Sequence, residues 1–380
     1  MATRPSRSPR RRGLPAAVLP VIALLLLALV SACGLNAPGA GDDHGGAGGG
    51  TPAPALADAE VLDDPRSWDG ATTAVVSSAE VDPVADAPEP RLPVTVTDAQ
   101  GTEVEVADVS RVLALDVYGT LSRTVFELGL GDRLVGRDIS TQFDEAADLP
   151  LVTHNGHDLS AEAILALDPT LILTDTSLGP WDVILQMRDA DIPVVVVDSH
   201  RGLDNITRLT REVATALGVP DEGEILAQRT EEQIATTVDS IAGVAPTDLS
   251  EQLRTVFLYV RGQSGVYYMF GEGSGSDSLI DALGLYDVAA ELEWDGMKPV
   301  TDEAIIAAQP DLILMMSGGL DSVGGIDGLL DRLPALANTP AGEHQRLVDM
   351  ADAQILGFGP QTAAVLNALA VAIYAPESVS

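Results

Sequence analysis

Few residue types in this chain can do chemistry, and those few stand at informative spacings. Cys33 is the only cysteine among 380 residues, so neither a disulfide nor a thiolate-built metal centre can form within one chain. Tyr259, Val260 and Arg261 follow one another. On a strand, residues two apart share a face, which puts the Arg261 guanidinium within reach of the Tyr259 phenol as a hydrogen-bond donor. A free phenol ionises only near pH ~10, and a cation or a ferric ion beside it displaces the proton more readily. A tyrosine packed at a sheet end, with a surface arginine next to it, has the same pattern. His154 and His157 lie in a polar Thr-His-Asn-Gly-His-Asp stretch just ahead of a helix. A neutral imidazole there can ligate a metal, with Asp158 or a backbone carbonyl holding its tautomer, whereas a solvated loop histidine is the default.

Catalytic motifs are missing. There is no Walker lysine, HExxH or CxxC stretch. Gly262-Gln263-Ser264-Gly265 and Gly271-Glu272-Gly273-Ser274 both miss the spacing of a nucleophile elbow. No catalytic residue, and no enzyme, is expected. Charge narrows the partners: 21 Lys and Arg against 57 Asp and Glu give −36. Such a surface repels nucleic acid and anionic headgroups and suits a basic docking partner.

The elements that must hold these residues follow a clear order. Arg4, Arg7, Arg10, Arg11 and Arg12 precede an apolar run that ends at Val30-Ser31-Ala32-Cys33. This is the layout of an export signal with a lipobox, so residues 1–32 are expected to be removed and Cys33 lipidated. Residues 33–92 are rich in Gly, Ala, Pro and Asp without periodicity and are expected to form a flexible tether. From Pro93 the chain alternates. PVTVTDAQGTEVEVA reads as a hairpin turning at Gln100-Gly101, RVLALDV as a buried strand, TLSRTVFELGL as a helix, and RLVGRD as a short strand.

A repeat organises the rest. EAILALDPTLIL (162–173) and EAIIAAQPDLIL (303–314) agree at eight of twelve positions, 141 residues apart. Each has a hydroxyl N-cap candidate, Ser160 or Thr301, and a helix stopped by proline before a buried strand. Two α/β lobes are therefore expected, at 93–201 and 244–380. They are joined by a helical segment (202–243) that breaks at Gly218-Val219-Pro220, and the long helix across the junction implies a cleft.

With its lipobox, two Rossmann-like lobes, linking helix and repeated element, the chain resembles the solute-binding proteins of metal-chelate ABC importers. Three segments, 153–186, 257–284 and 315–342, are similar to the haemin-binding lipoproteins of actinobacterial haem-uptake transporters. The resemblance covers about 93–375. It implies a class III binding protein with the ligand between the lobes: haem b as the transported ligand, held through its iron by His157 and Tyr259 and supported by Arg261. Relatives of the same class carry ferric siderophores or cobalamin. His154 is the alternative histidine. Tyr118, Trp181, Tyr267, Tyr268, Met297, Met315 and Met316 are pocket candidates, and amides of the Gly-rich 271–278 segment could receive a propionate. Glu162 and Glu303, at matching helix first turns, are expected to dock on the permease, although carboxylates are favoured there by the helix dipole alone. The implied partners are an ABC permease and ATPase, haem or a haem donor, and the membrane through Cys33. The expected location is extracytoplasmic and lipid-anchored.

Overall fold

The computed structural model describes residues 50–380 and Met1. The export signal, Cys33 and the first part of the expected tether lie outside the described residues. From Gly50 onward the expectation of a tether fails. Residues Ala71–Ala74 form strand β1, and Ala53, Leu56 and Ala74 are buried in the core of the C-terminal lobe. The backbone N–H of Leu56 donates to Asn367 Oδ1 at 2.9 Å, and Asn367 Nδ2 donates back to Pro54 O at 2.8 Å. The segment then crosses to the other lobe. Arg123 donates to the Ala79 and Glu80 carbonyls, Val84 N–H donates to Glu127 O at 2.8 Å, and Val84 and Leu92 pack against the N-terminal core. A four-residue Ala-Thr-Thr-Ala strand carries no hydrophobic alternation. It is held by pairing with a sheet edge, which periodicity does not register.

The N-terminal lobe begins with the expected hairpin, β2 (Val94–Thr97) against β3 (Glu103–Val106). Asp98 Oδ1 accepts from Gln100 N and Thr102 N, and Gly101 takes φ +79°, which suits glycine. Strand β4 (Val112–Leu115) comes next, then a small hairpin of β5 (Thr153–His154) and β6 (Asp158–Leu159), then β7 (Leu171–Thr174) and β8 (Val194–Val196). β4, β7 and β8 form a parallel sheet in that order, buried on both faces as such sheets are. RLVGRD makes only single bridges, Val112 with Leu134 and Arg137 with Leu151.

Helices Ile206–Ala216 and Pro220–Ala242 lead out of this lobe. Between them Gly218, at φ +75°, accepts from Arg91 N–H at 2.8 Å, and a Cβ there would stand 3.0 Å from the Arg91 carbonyl oxygen. The second helix has 23 residues and is about 34 Å long. Leu226, near its start, belongs to the N-terminal core, and Ile241, near its end, to the C-terminal core. Two hydrophobic cores thus share one rigid rod, while Ile225, one residue off the buried stripe, is exposed.

The C-terminal lobe contains β9 (Arg254–Arg261), β10 (Val266–Phe270), β11 (Tyr286–Asp287), β12 (Met297–Pro299), β13 (Leu312–Met316) and β14 (Leu347–Met350). The sheet order is β1-β14-β13-β9-β10-β12, with β11 beside the start of β9. The repeat holds in detail. Ser160 caps helix Ala161–Ala166 by accepting from Ala163 N, and Thr301 caps Asp302–Ala308 through Ala304 N. Asp168 and Gln309, equivalent residues ahead of the two prolines, both take left-handed backbone, at φ +45° and +42°.

Candidate functional site

Tyr259 sits near the end of β9, paired in register with Tyr268 on β10, and its ring stacks on Phe270 at 5.7 Å. Arg261 shares that strand face, as its spacing requires. Its guanidinium carbon lies 4.5 Å from the Tyr259 ring centroid. Arg261 makes no hydrogen bond to the phenol oxygen, which corrects the expected geometry: the contact is cation over ring face. Its Nη2 instead donates to Asp352 Oδ2 at 2.8 Å and its Nη1 to Val260 O at 2.9 Å. The other oxygen of Asp352 accepts from Gly318 N at 2.8 Å. A Cβ on Gly318 would stand 3.0 Å from both Asp352 oxygens, so any other residue there would push the carboxylate away from the amide.

Strand alternation settles the choice between the methionines. Met315 is in register with Leu258 and packs in the layer on the far face of the sheet. Met316, next along, lies on the Tyr259 face, its sulfur 4.0 Å from Arg261 Nη2. Tyr267 is in register with Val260 and also packs on the far face, against the cluster that holds Met315. Tyr268 stays on the face of Tyr259. Met297 is exposed on edge strand β12, and Trp181 packs on the outer N-terminal layer with Arg188 5.9 Å from its ring. Met297 is in register with Phe270 and so lies on the Tyr259 face at the sheet edge, whereas Tyr267, Met315 and Trp181 are not drawn together with Tyr259.

His157 occupies the tip of the β5–β6 hairpin, where Asn155 (φ +47°) and Gly156 (φ +87°) turn the chain and leave the imidazole exposed. Its pKa is pulled below the ordinary value, first by partial desolvation and then by the positive charge of Arg261, against the raising effect of Asp352 and Asp158. Arg261 and Asp352 belong to the opposite lobe, so the hairpin tip faces the Tyr259 side of the cleft. A neutral imidazole is the form that can ligate a metal. His154 is exposed on β5, paired with Asp158.

Tyr118 follows β4, half-buried, and packs with Tyr259 against the C-terminal core. Arg201 lies 5.5 Å from its ring, and burial is the main cause that raises its pKa. Beneath it is a buried charged group that motif reading missed. Arg201 Nη2 meets Asp175 Oδ2 at 2.6 Å and Asp116 Oδ2 at 3.4 Å, and Asp138 Oδ2 accepts from Asp116 N at 3.1 Å. Burial pushes Asp116 up to about 6 and Asp138 to about 7. Aspartates directly follow the apolar strands LAL and LILT, and that position at the carboxyl ends of parallel strands is the available sequence signal. In the Gly-rich 271–278 segment, Asp277 already accepts from Gly273 N at 2.9 Å and Gly275 N at 3.1 Å, so those amides are not open to a propionate.

Two lobes sharing a helix, with convergent polar and aromatic side chains facing each other from their strand ends, define a class III solute-binding protein. The chain belongs to the periplasmic binding protein family, whose model matches residues 117–353. Members of this family bind and hand over solutes and are not catalysts. Among solved structures, the haem-binding protein HmuT is 42% identical, with a TM-score of 0.77, covering 82% of this chain and 99% of its own. The periplasmic haem-binding protein RhuT from Roseiflexus sp. RS-1 is 37% identical with a TM-score of 0.64, covering 70% and 98%. A curated vitamin B12-binding protein from Pectobacterium atrosepticum is 23% identical over 218 residues, covering 56% of this chain and 73% of its own.

Proposed function

We propose that this protein captures haem b in its interlobe cleft, outside the cytoplasm, and delivers it to an ABC permease and its ATPase. The observation that carries this reading is the Tyr259–Arg261–Asp352 group facing His157 across the cleft. A phenol with a fixed cation on its ring face and an imidazole held neutral form a donor set suited to ferric iron entered from two sides. Tyr259 supplies the oxygen donor, His157 the neutral nitrogen, and Arg261 sets a fixed positive charge over the phenol ring. Met316, Tyr268 and Tyr118 supply apolar contact for the porphyrin. The relatives named for haem support this choice of ligand over cobalamin. Lipidation of Cys33 holds the carrier on the membrane, and Glu162 and Glu303, both exposed in the first turns of equivalent helices, meet basic residues of the permease.

Titration of the chain lacking residues 1–33 with haemin, cobalamin and a ferric siderophore tests this directly. One equivalent of haemin is expected to give a saturating Soret band, with no competition from the other two. Tight cobalamin or siderophore binding with only loose haemin association would reverse the assignment.

A further inference from the structure

The repeated helix carries a second feature that the docking glutamates leave unused. In the N-terminal lobe Glu162 and Leu165 are both exposed, while Ile164 between them is fully buried. In the C-terminal lobe the equivalent residues repeat the arrangement: Glu303 and Ile306 outward, Ile305 inward. Leu165 is 47% exposed and Ile306 56%. Residues three apart are neighbours on a helix surface, so each acid stands beside an aliphatic side chain on the outward face. A single exposed Leu is ordinary and needs no explanation. The same exposed aliphatic at equivalent positions of two lobes, each time next to an exposed carboxylate, is not expected of a solvated face. An outward helix face is normally polar, and alanine or a charged residue would serve the fold equally well there.

Placement adds to the pattern. Helix Ala161–Ala166 starts directly after the β5–β6 hairpin that carries His157. Helix Asp302–Ala308 starts just after β12, whose Pro299 pairs with Tyr268, which in turn pairs with Tyr259. The first acid–aliphatic pair therefore follows an element that carries a cleft side chain, and the second follows a strand paired with one.

We infer that Glu162 with Leu165, and Glu303 with Ile306, form two equivalent mixed contacts whose single occupant is the permease. On each of its two halves that partner presents a basic side chain flanked by an apolar pocket. The inference rests on the proposed role as importer component and adds to it the part that excludes water. Charge complementarity favours this occupant: a chain of net charge −36 is drawn to a basic face over distance. A salt bridge in open solvent holds little, whereas an aliphatic side chain seated beside it desolvates the pair and slows dissociation.

The test uses the haem-loaded protein with its permease–ATPase complex in proteoliposomes, reading ATP hydrolysis against binding-protein concentration. Leu165→Ser with Ile306→Ser is expected to raise the half-maximal concentration at least tenfold, with the Soret titration in solution unchanged. Either single substitution should have a smaller effect. Glu162→Lys with Glu303→Lys serves as the charge control and should lose stimulation. A half-maximal concentration within twofold of wild type for the double serine variant overturns the inference, as does a wild-type protein that gives no stimulation. Failure of the wild type to take up haemin in solution would instead sink the ligand assignment, and that is read before any vesicle is added.

Discussion

Arg201 is where the buried charged group of the N-terminal lobe can be tested most sharply by one substitution. Its guanidinium meets Asp175 and Asp116 with side chains no more than 2% exposed, and Nη1 also donates to Asp198 O at 2.7 Å and His200 O at 3.1 Å. Arg201→Met keeps the volume but strands two buried carboxylates without a counter-charge. Breaking a buried ion pair from one side costs about 3–5 kcal/mol. For a protein of this size that lowers Tm by roughly 6 °C. The penalty also has a pH signature. Burial already raises Asp116 to about 6, and Arg201 is the largest influence opposing that rise. A carboxyl whose folded pKa lies above its unfolded value binds more protons when folded, so its contribution is present at low pH and lost as pH rises through the folded pKa. The variant's deficit against wild type, measured by urea unfolding, should be large at pH 7.5 and clearly smaller at pH 5.5. A deficit below about 1 kcal/mol, or one equal at both pH values, would refute the reasoning that this arginine neutralises the group.

Other perturbations probe the cleft and the N-terminal segment. In the ligand-free protein, Arg261→Ala should raise the pKa of His157 and Asp352→Ala should lower it, because the two groups act on it with opposite sign. NMR titration of the ring proton reads both, and shifts of like sign would mean that the hairpin tip does not face the pair. Asp352→Ala frees Arg261 and leaves Gly318 N–H without its acceptor. At about 1.4 kcal/mol for such a charge-assisted bond, haem should dissociate roughly tenfold faster. The effect should vanish in an Arg261→Ala background, and its persistence there would detach Asp352 from Arg261. A chain starting at Pro93 exposes the β14 edge and the contacts of Leu56 and Ala74, with an expected loss on the order of 3 kcal/mol. Unchanged thermal unfolding would make residues 50–92 a tether after all.

Much of this fold can be read from the chain because its signals are local. The N-caps at Ser160 and Thr301, the prolines that stop both repeated helices, and the break before Pro220 depend on neighbours a few residues away. The order of residues 50–92 is not local, since β1 is held by β14, far along the sequence. Within the site, Tyr259 and Arg261 are legible as a pair because strand alternation places them together. Asp352 is not, because a turn after β14 brings it to Arg261 from 91 residues away. The same alternation, once register is known, separates Met316 from Met315 and Tyr268 from Tyr267. Sequence shows the alternation but not its phase against the cleft.

The central claim is that Tyr259 binds ferric haem iron as a phenolate, and resonance Raman of the haemin complex tests it most directly. Excitation into the phenolate-to-iron charge-transfer band should show tyrosinate modes in the wild type, and Tyr259→Phe should abolish them while haemin remains in the cleft on His157. A wild-type spectrum without tyrosinate modes, or modes that survive in Tyr259→Phe, would contradict the assignment.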